Sequence, residues 1–331
     1  MEQSESGYTI TNESFESLSS HWLKPQSPLK WDHVFVLPPW LEVWWHEFGG
    51  LSEPYLCAVR QNGAIIGLAP LAINGQEAFL IGSADVCDFL DFVISPGNED
   101  TFFSALLDHL RQKGIRHLDL GSVRPDSKAF NYLVPVATGL GLEVHCEIED
   151  VSLEMDLPQT WDEYLGHLKG KQRHEVRRKL RRLFETDGAK YRTVEDPGDV
   201  TDAMDLFLGL FQKSRQDKED FLTPRRESFF RALAEGMARV NLLRLGILEI
   251  DQKPAAAIMC FDYNDTIYLY NSGYDPQYSF LSVGLISKIL CIKDSTERGK
   301  KKFDFLKGAE VYKYRLGGKE IPLHRCQIKI G

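Results

Sequence analysis

The chain has 331 residues, 43% of them hydrophobic and 26% charged, and carries a formal charge of -9. That length exceeds what one hydrophobic core usually organises and favours two domains, and the balance of residues is that of a globular protein rather than a disordered or fibrous one. The acidic surplus excludes general nucleic-acid binding, which depends on cations neutralising phosphates, but leaves room for one local basic surface.

Residues 1–20 are acidic and polar, without the apolar run of a signal peptide, so a cytoplasmic protein is expected. The longest apolar stretches, such as residues 64–73, are strand-sized and fall short of the roughly 20 residues that cross a bilayer, so no integral membrane segment is expected. Six cysteines are scattered without a C-x-x-C pair, and neither a disulfide nor zinc is expected from them.

Along the chain, Trp40, Trp44, Trp45 and Phe48 fall at helical spacing and predict a helix facing the core. Residues 56–71 (LCAVRQNGAIIGLAPL) place two apolar runs around Asn62-Gly63, a hairpin signal because both residues tolerate positive φ. Asp85, Asp88 and Asp91 lack the EF-hand spacing, and no metal is expected there. A strand over 89–94, a helix over 99–113 closed by Gly114, and a strand through Asp119 complete the first half.

The second half repeats this order. A hairpin is predicted over 245–260 around Asp251-Gln252, with Pro254 at an edge or bulge, then a strand over 266–272, a helix over 283–298 closed by Gly299, and a strand through Asp304. Each aspartate follows its glycine by the same interval. The expected architecture is therefore α/β, with tandem domains over 1–157 and 158–331, each a mixed twisted sheet covered by helices. The seam falls near Leu157-Pro158.

Several segments together resemble the tandem GNAT-superfamily acyltransferases, close to the CelD-type group and related to the Fem-type aminoacyl transferases. They are WLEVWWHEF (40–48), IGSADVCDFLDF (81–92), KQRHEVRRKLRR (171–182), YLYNSGYD (268–275) and FDFLKGAEVYKY (303–314). The resemblance implies transfer of an acyl group to an amine of a small molecule, sugar or envelope precursor, with acetyl-coenzyme A or another acyl-coenzyme A as co-substrate. An aminoacyl-tRNA donor is the alternative, and a non-catalytic binding protein in polysaccharide production is a third reading. The superfamily's pyrophosphate loop corresponds to residues 278–285 (YSFLSVGL), which keep one glycine.

That stretch still suits an anion, because a helix N-terminus binds one through unpaired amides that belong to any residue type. Ser282 is a candidate N-cap and Gly284 opens the backbone, so residues Ser282, Val283, Gly284 and Leu285 form the expected donor site, with Lys307 and Lys313 as cationic partners.

Amine attack on a thioester calls for a neutral nucleophile, donors at the carbonyl oxygen and an acid for the departing thiolate. Tyr312 is the candidate acid, unless it and Tyr314 are packing residues. Asp304 is the candidate base, although Asp119 at the matching place in the first half suggests a structural role. Asn271 either polarises the carbonyl or makes a turn with Ser272-Gly273. Tyr268, Tyr270 and Ser272 are expected on one strand face by alternation, and Tyr270 and Tyr274 are candidates for acceptor binding. Between residues 169 and 182 stand eight Lys or Arg and one acid, and Arg173, Arg177 and Arg181 align into a ridge able to dock an anionic substrate or tRNA.

Overall fold

The computed structural model describes residues 7–82 and 85–331. In chain order the elements of the first half are β1 (Tyr8–Glu13), α1 (Phe15–Leu23), α2 (Pro38–Phe48), β2 (Glu53–Gln61), β3 (Ala64–Asn74), β4 (Glu77–Leu80), β5 (Val93–Ile94), α3 (Glu99–Gln112), β6 (His117–Val123), α4 (Val134–Gly139) and β7 (Glu143–Asp156). They continue with α5 (Trp161–His167), α6 (Gly170–Phe184), β8 (Lys190–Val194), α7 (Val200–Ser214), α8 (Gln216–Phe221) and α9 (Pro224–Arg239). The last are β9 (Leu243–Ile250), β10 (Lys253–Tyr263), β11 (Thr266–Tyr274), α10 (Val283–Glu297), β12 (Lys302–Lys307), α11 (Val311–Arg315) and β13 (Lys319–Lys329).

Two compact units result. The first takes the described residues up to Val151 together with Ile321–Gly331, and the second is Ser152–Glu320. The division differs from a cut at residue 157 because the last strand returns to the first unit, where β13 pairs antiparallel with β6 through Cys326↔Leu120 and Ile328↔Leu118. A disulfide between Cys146 and Cys326 adds to that closure. It corrects the expectation of no disulfide: 180 residues separate the two cysteines, so nothing local in the sequence marks them as a pair.

In the first unit β1 to β4 pair antiparallel in succession, and α3 then crosses over to lay β6 parallel to β4. The expected third strand over 89–94 is not the one observed. A two-residue turn at Gly75-Gln76, with Gly75 at φ 61°, folds β4 back on β3 and takes that place. Only Val93–Ile94 of the expected strand pairs, with Leu68 and Gly67 of β3. Phe89 packs instead against His33 and Phe35. Trp40 and Trp44 are buried as the helical stripe implies.

The second unit repeats this connectivity. Strands β8 to β11 pair antiparallel, α10 crosses over, and β12 lies parallel to β11 and antiparallel to residues 152–156 of β7. Pro254 sits at a register shift between β9 and β10, as its missing N–H requires. Helix α10 carries buried apolar residues around its circumference, which marks a helix sunk in the core rather than laid on the surface. No helix of the described residues is long and apolar enough to cross a membrane.

Candidate active site

Strands β11 and β12 pair only through Thr266–Lys302, Ile267–Phe303 and Tyr268–Asp304, and then separate, although β11 runs on to Tyr274 and β12 to Lys307. Beyond the last pair the two strands no longer bond to each other, and side chains reach their backbone instead: Lys218 the Ser272 carbonyl, Lys313 the carbonyls of Leu306 and Lys307. Two features of β11 decide what is presented there. First, its register against β10 shifts so that Met259 faces Asn271 while Cys260 faces Leu269. The extra residue on β11 reverses the alternation.

Tyr270 consequently keeps the face of Tyr268 and joins the aromatic rings of Phe230 on α9 and Phe261 on β10. Ser272 turns to the opposite face, where its Oγ meets Lys288 of α10. Alternation alone had placed Tyr270 and Ser272 together, and the bulge overturns that. Asn271 pairs across from Met259 and so shares the side of Tyr270, away from α10; a carbonyl held at the α10 end is out of its direction. Tyr274 shares the side of Ser272, and its ring lies against Gly284, where an added Cβ would stand 2.8 Å from the ring.

The second feature is the start of α10. Ser282 does not cap it by its side chain. Its φ of 60° holds it in the left-handed region, and its Oγ accepts instead from Lys179 of α6 at 2.6 Å. Leu285 and Ile286 donate their amides to the Ser282 carbonyl, whereas the amides of Val283 and Gly284 have no acceptor among the described residues. No acidic residue occupies the first turn. Val283 is buried, and Ser282, Gly284 and Leu285 are half-exposed. The matching helix of the first unit, α3, differs at this point: it begins with Glu99 and Asp100, which offset its own dipole. Two bare amides beside a lysine fit an anionic group, and the first unit lacks that arrangement.

Lys288 lies one turn further along α10 and is 7% exposed. Its Nζ donates to Ser272 Oγ at 2.9 Å and to the Gly284 carbonyl at 2.8 Å, and stands 5.0 Å from the centre of the Tyr312 ring. Burial, with Lys218 nearby, pulls its pKa down to about 7. Lys218 of α8 in turn donates to the Ser272 carbonyl and covers the Phe211 ring at 4.7 Å. Burial raises the Tyr312 hydroxyl well above the ordinary phenol range, so it stays protonated and keeps an O–H to donate.

The other expected residues serve the framework. Asp304 is 2% exposed, and its carboxylate accepts the amide of Leu306 at 2.8 Å where β12 shifts register against β7 and Leu306 takes a φ of 62°. That bond holds the strand's turn, the kind of structural role that Asp119 at the matching place suggested. Lys313 is 2% exposed, and its ammonium is spent on the carbonyls of Leu306, Lys307 and Gly308 at 3.0, 2.6 and 3.0 Å, with Glu310 at 2.9 Å. A lysine has three donors, so none remains for a phosphate. Lys307 ends β12 half-buried. Tyr314 is exposed and bonded to Glu320.

On α6, Arg177 and Arg181 are exposed, Arg173 is half-buried, and Arg181 faces Glu185 at 3.8 Å. The members of this helix that reach the α10 entrance are Lys179, bonded to Ser282, and Arg182, over the Phe280 ring at 5.8 Å. Sequence reasoning passed over Lys179, Lys218 and Lys288. The signal for Lys288 was present: one cation inside the apolar run of α10 is costly unless it has a task. Among the described residues no group of three or more His, Cys, Asp or Glu could hold a metal ion.

Residues 170–314 match the family described as Acetyltransferase (GNAT) domain. That segment is a GNAT-type acetyltransferase domain. No curated protein matches the chain by sequence. Among solved structures the chain is similar to FemX, at TM-score 0.64 and 10% identity, with 96% of each chain covered. It is also similar to the C-terminal domain of a putative lysylphosphatidylglycerol synthetase from Agrobacterium fabrum, at TM-score 0.54 and 14% identity over 80% of this chain and 81% of that one. A third is L-PGS from Bacillus licheniformis, at 0.52 and 12% over 88% and 90%. Identities this low carry the fold alone, a mixed α/β arrangement.

Proposed function

We propose that the second unit is an N-acyltransferase that moves an acyl group from an acyl-coenzyme A to an amine of a small molecule or sugar. The observation that carries this reading is the start of α10: two amides without an acceptor among the described residues, no acid in the first turn, and Lys179 alongside. A helix start normally draws a capping oxygen or an acidic side chain, and one surrounded by cations instead is arranged for an anion supplied from outside. The diphosphate of coenzyme A answers that description.

The acyl carbonyl would then lie toward the gap between β11 and β12, within range of Tyr312 and Lys288. Tyr312, held protonated, donates to the departing sulfur or to the carbonyl oxygen. In the simplest route the neutral amine attacks the donor carbonyl directly. Lys288, with its proton given up near pH 7, accepts the one that the amine sheds. Asp304 and Lys313 hold the loop that presents Tyr312.

Calorimetric titration with acetyl-coenzyme A and longer acyl forms tests the reading. Saturable binding is expected, and Ser282→Asp should weaken it by about tenfold, or about 1.4 kcal/mol, because its carboxylate meets the amides first and repels the diphosphate. Absence of binding by every acyl form contradicts the coenzyme A reading.

An aminoacyl-tRNA donor is the second reading, favoured by the likeness to FemX and by the exposed Arg177 and Arg181 on α6. Charge reversal at Arg173, Arg177 and Arg181 should then abolish tRNA binding at physiological salt, while leaving coenzyme A binding in place.

A further inference from the structure

We infer that Ser272 and Lys288 form a nucleophile–base pair, and that the acyl group passes through an ester on Ser272 before it reaches the acceptor amine. This rests on the reading of the second unit as an acyl-transfer centre and replaces its single displacement by two. The geometry is the starting point. Ser272 Oγ lies 2.9 Å from Lys288 Nζ, which is hydrogen-bond distance for proton transfer, and Ser272 is half-exposed while the lysine is buried.

A neutral amine fits the same contacts. It keeps one N–H on the Gly284 carbonyl and one over the Tyr312 ring, and its lone pair then receives the Ser272 hydroxyl hydrogen. Serine–lysine pairs achieve nucleophilic catalysis on unrelated folds by this arrangement, so the chemistry needs no third partner to orient an imidazole. The β11 bulge is what brings Ser272 to α10; without the extra residue its side chain would point to α9.

The surroundings keep the lysine poised. Lys218 from α8, Cys260 from β10, Glu310 before α11, and Lys313 and Tyr312 within α11 face it, and the two lysines together with burial outweigh Cys260 and Glu310, which act the other way. Lys218 also holds the Ser272 carbonyl, which fixes the backbone of the nucleophile while its side chain reacts.

The steps balance without any oxidant or metal. Lys288 takes the hydroxyl proton as Ser272 Oγ bonds to the carbonyl carbon of a thioester or ester donor. The bond to the leaving sulfur or oxygen then breaks, and Lys288 returns the proton to it, leaving an acyl ester on Ser272 and a free thiol or alcohol. In the second half the acceptor amine attacks that ester, Lys288 takes one amine proton and gives it to the departing Ser272 oxygen, and an amide and the original serine result. The donor carbonyl oxygen would meet the Tyr312 hydroxyl.

The full chain treated with p-nitrophenyl acetate, which needs no recognition of a natural donor, provides the test. Mass spectrometry should find one acetyl group per chain on the peptide containing Ser272, removable by neutral hydroxylamine, with a labelling rate that rises through a midpoint near pH 7. Lys288→Arg, which cannot deprotonate, should slow labelling by at least about a hundredfold, Ser272→Ala should abolish it, and Ser272→Cys should restore a labelled adduct in a folded protein. Labelling on Lys288 as a hydroxylamine-resistant amide, or wild-type labelling no faster than that of Ser272→Ala, overturns the pair. If acetyl-coenzyme A still binds and is turned over by Ser272→Ala at the wild-type rate, the pair fails and the acyl-transfer site stands. If Ser272 is labelled by the ester while no acyl-coenzyme A binds, the pair stands and the coenzyme A reading fails.

Discussion

Burying Lys288 takes an ammonium out of water with a hydroxyl, a carbonyl and a ring face as its direct contacts, so the folded chain holds the neutral form down to about pH 7. The unfolded chain keeps that proton up to about 10.5, the folded one releases it near 7, and the unfolded state therefore binds more protons across the interval. Stability rises with pH from about 7 to about 10.5, and below 7 the whole cost is present. Replacing Lys288 by Met should raise the unfolding free energy measured in urea at pH 7 by on the order of 2–4 kcal/mol, and flatten the dependence above it. A variant that is less stable than wild type at pH 7 would show that the ammonium is held by contacts rather than tolerated. His33 in the first unit follows the same rule from the acid side. Buried, with no hydrogen-bond partner for either ring nitrogen among the described residues and with Lys128 and Arg124 nearby, its pKa falls to about 3. It costs stability as pH falls below 6.5 toward 3, a loss that His33→Phe should remove in acid titration followed by circular dichroism.

At the scale of elements, β11 shows what a one-residue insertion does. The alternation of Tyr268, Tyr270 and Ser272 could be read from the sequence, but the register shift against β10 could not, because it depends on which residue of the partner strand stands opposite. Tyr270 went to the aromatic layer and Ser272 to α10 as a result. Gly273 beside them shows why α7 can lie so close: an added Cβ would stand 2.3 Å from the Phe211 amide and among backbone atoms of that helix. Gly273→Ala should therefore destabilise the second unit by about 2–3 kcal/mol, measured by thermal unfolding, and slow acylation of Ser272 as β11 shifts. The turn after β12 depends on Lys313 in a similar way. Lys313→Met leaves three carbonyls and Glu310 without their donor, and should cost about 3–5 kcal/mol; a change within about 0.5 kcal/mol would show that water replaces it freely. The boundaries of α10 and α3 were legible from their glycine stops and apolar content. Those of β4 were not, because four residues between two turns carry little periodicity.

For the whole molecule, a repeated order of hairpin, strand, helix and strand was expected from sequence and recurs in both units with the same pairing, with β4 in the first unit in place of the strand expected over 89–94. Unseen was the return of the last strand to the first unit, which joins residues 180 apart through Cys146 and Cys326. Reducing that bond should lower the unfolding temperature of the first unit, in line with a loss of about 2–4 kcal/mol; Cys146→Ser should behave alike, and no change on reduction would contradict a stabilising role. The asymmetry between units is likewise a matter of few residues. Glu99 and Asp100 put acidic charge in the first turn of α3, and no acid stands in the first turn of α10. The measurement that tests this most directly is hydrogen exchange of the full chain with and without acetyl-coenzyme A, followed over residues 276–290. The amides of Val283 and Gly284 should gain protection in the second unit while residues 95–105 of the first are unaffected. Protection at the α3 start, or none at 283 and 284 in a protein that binds the donor, would contradict the account.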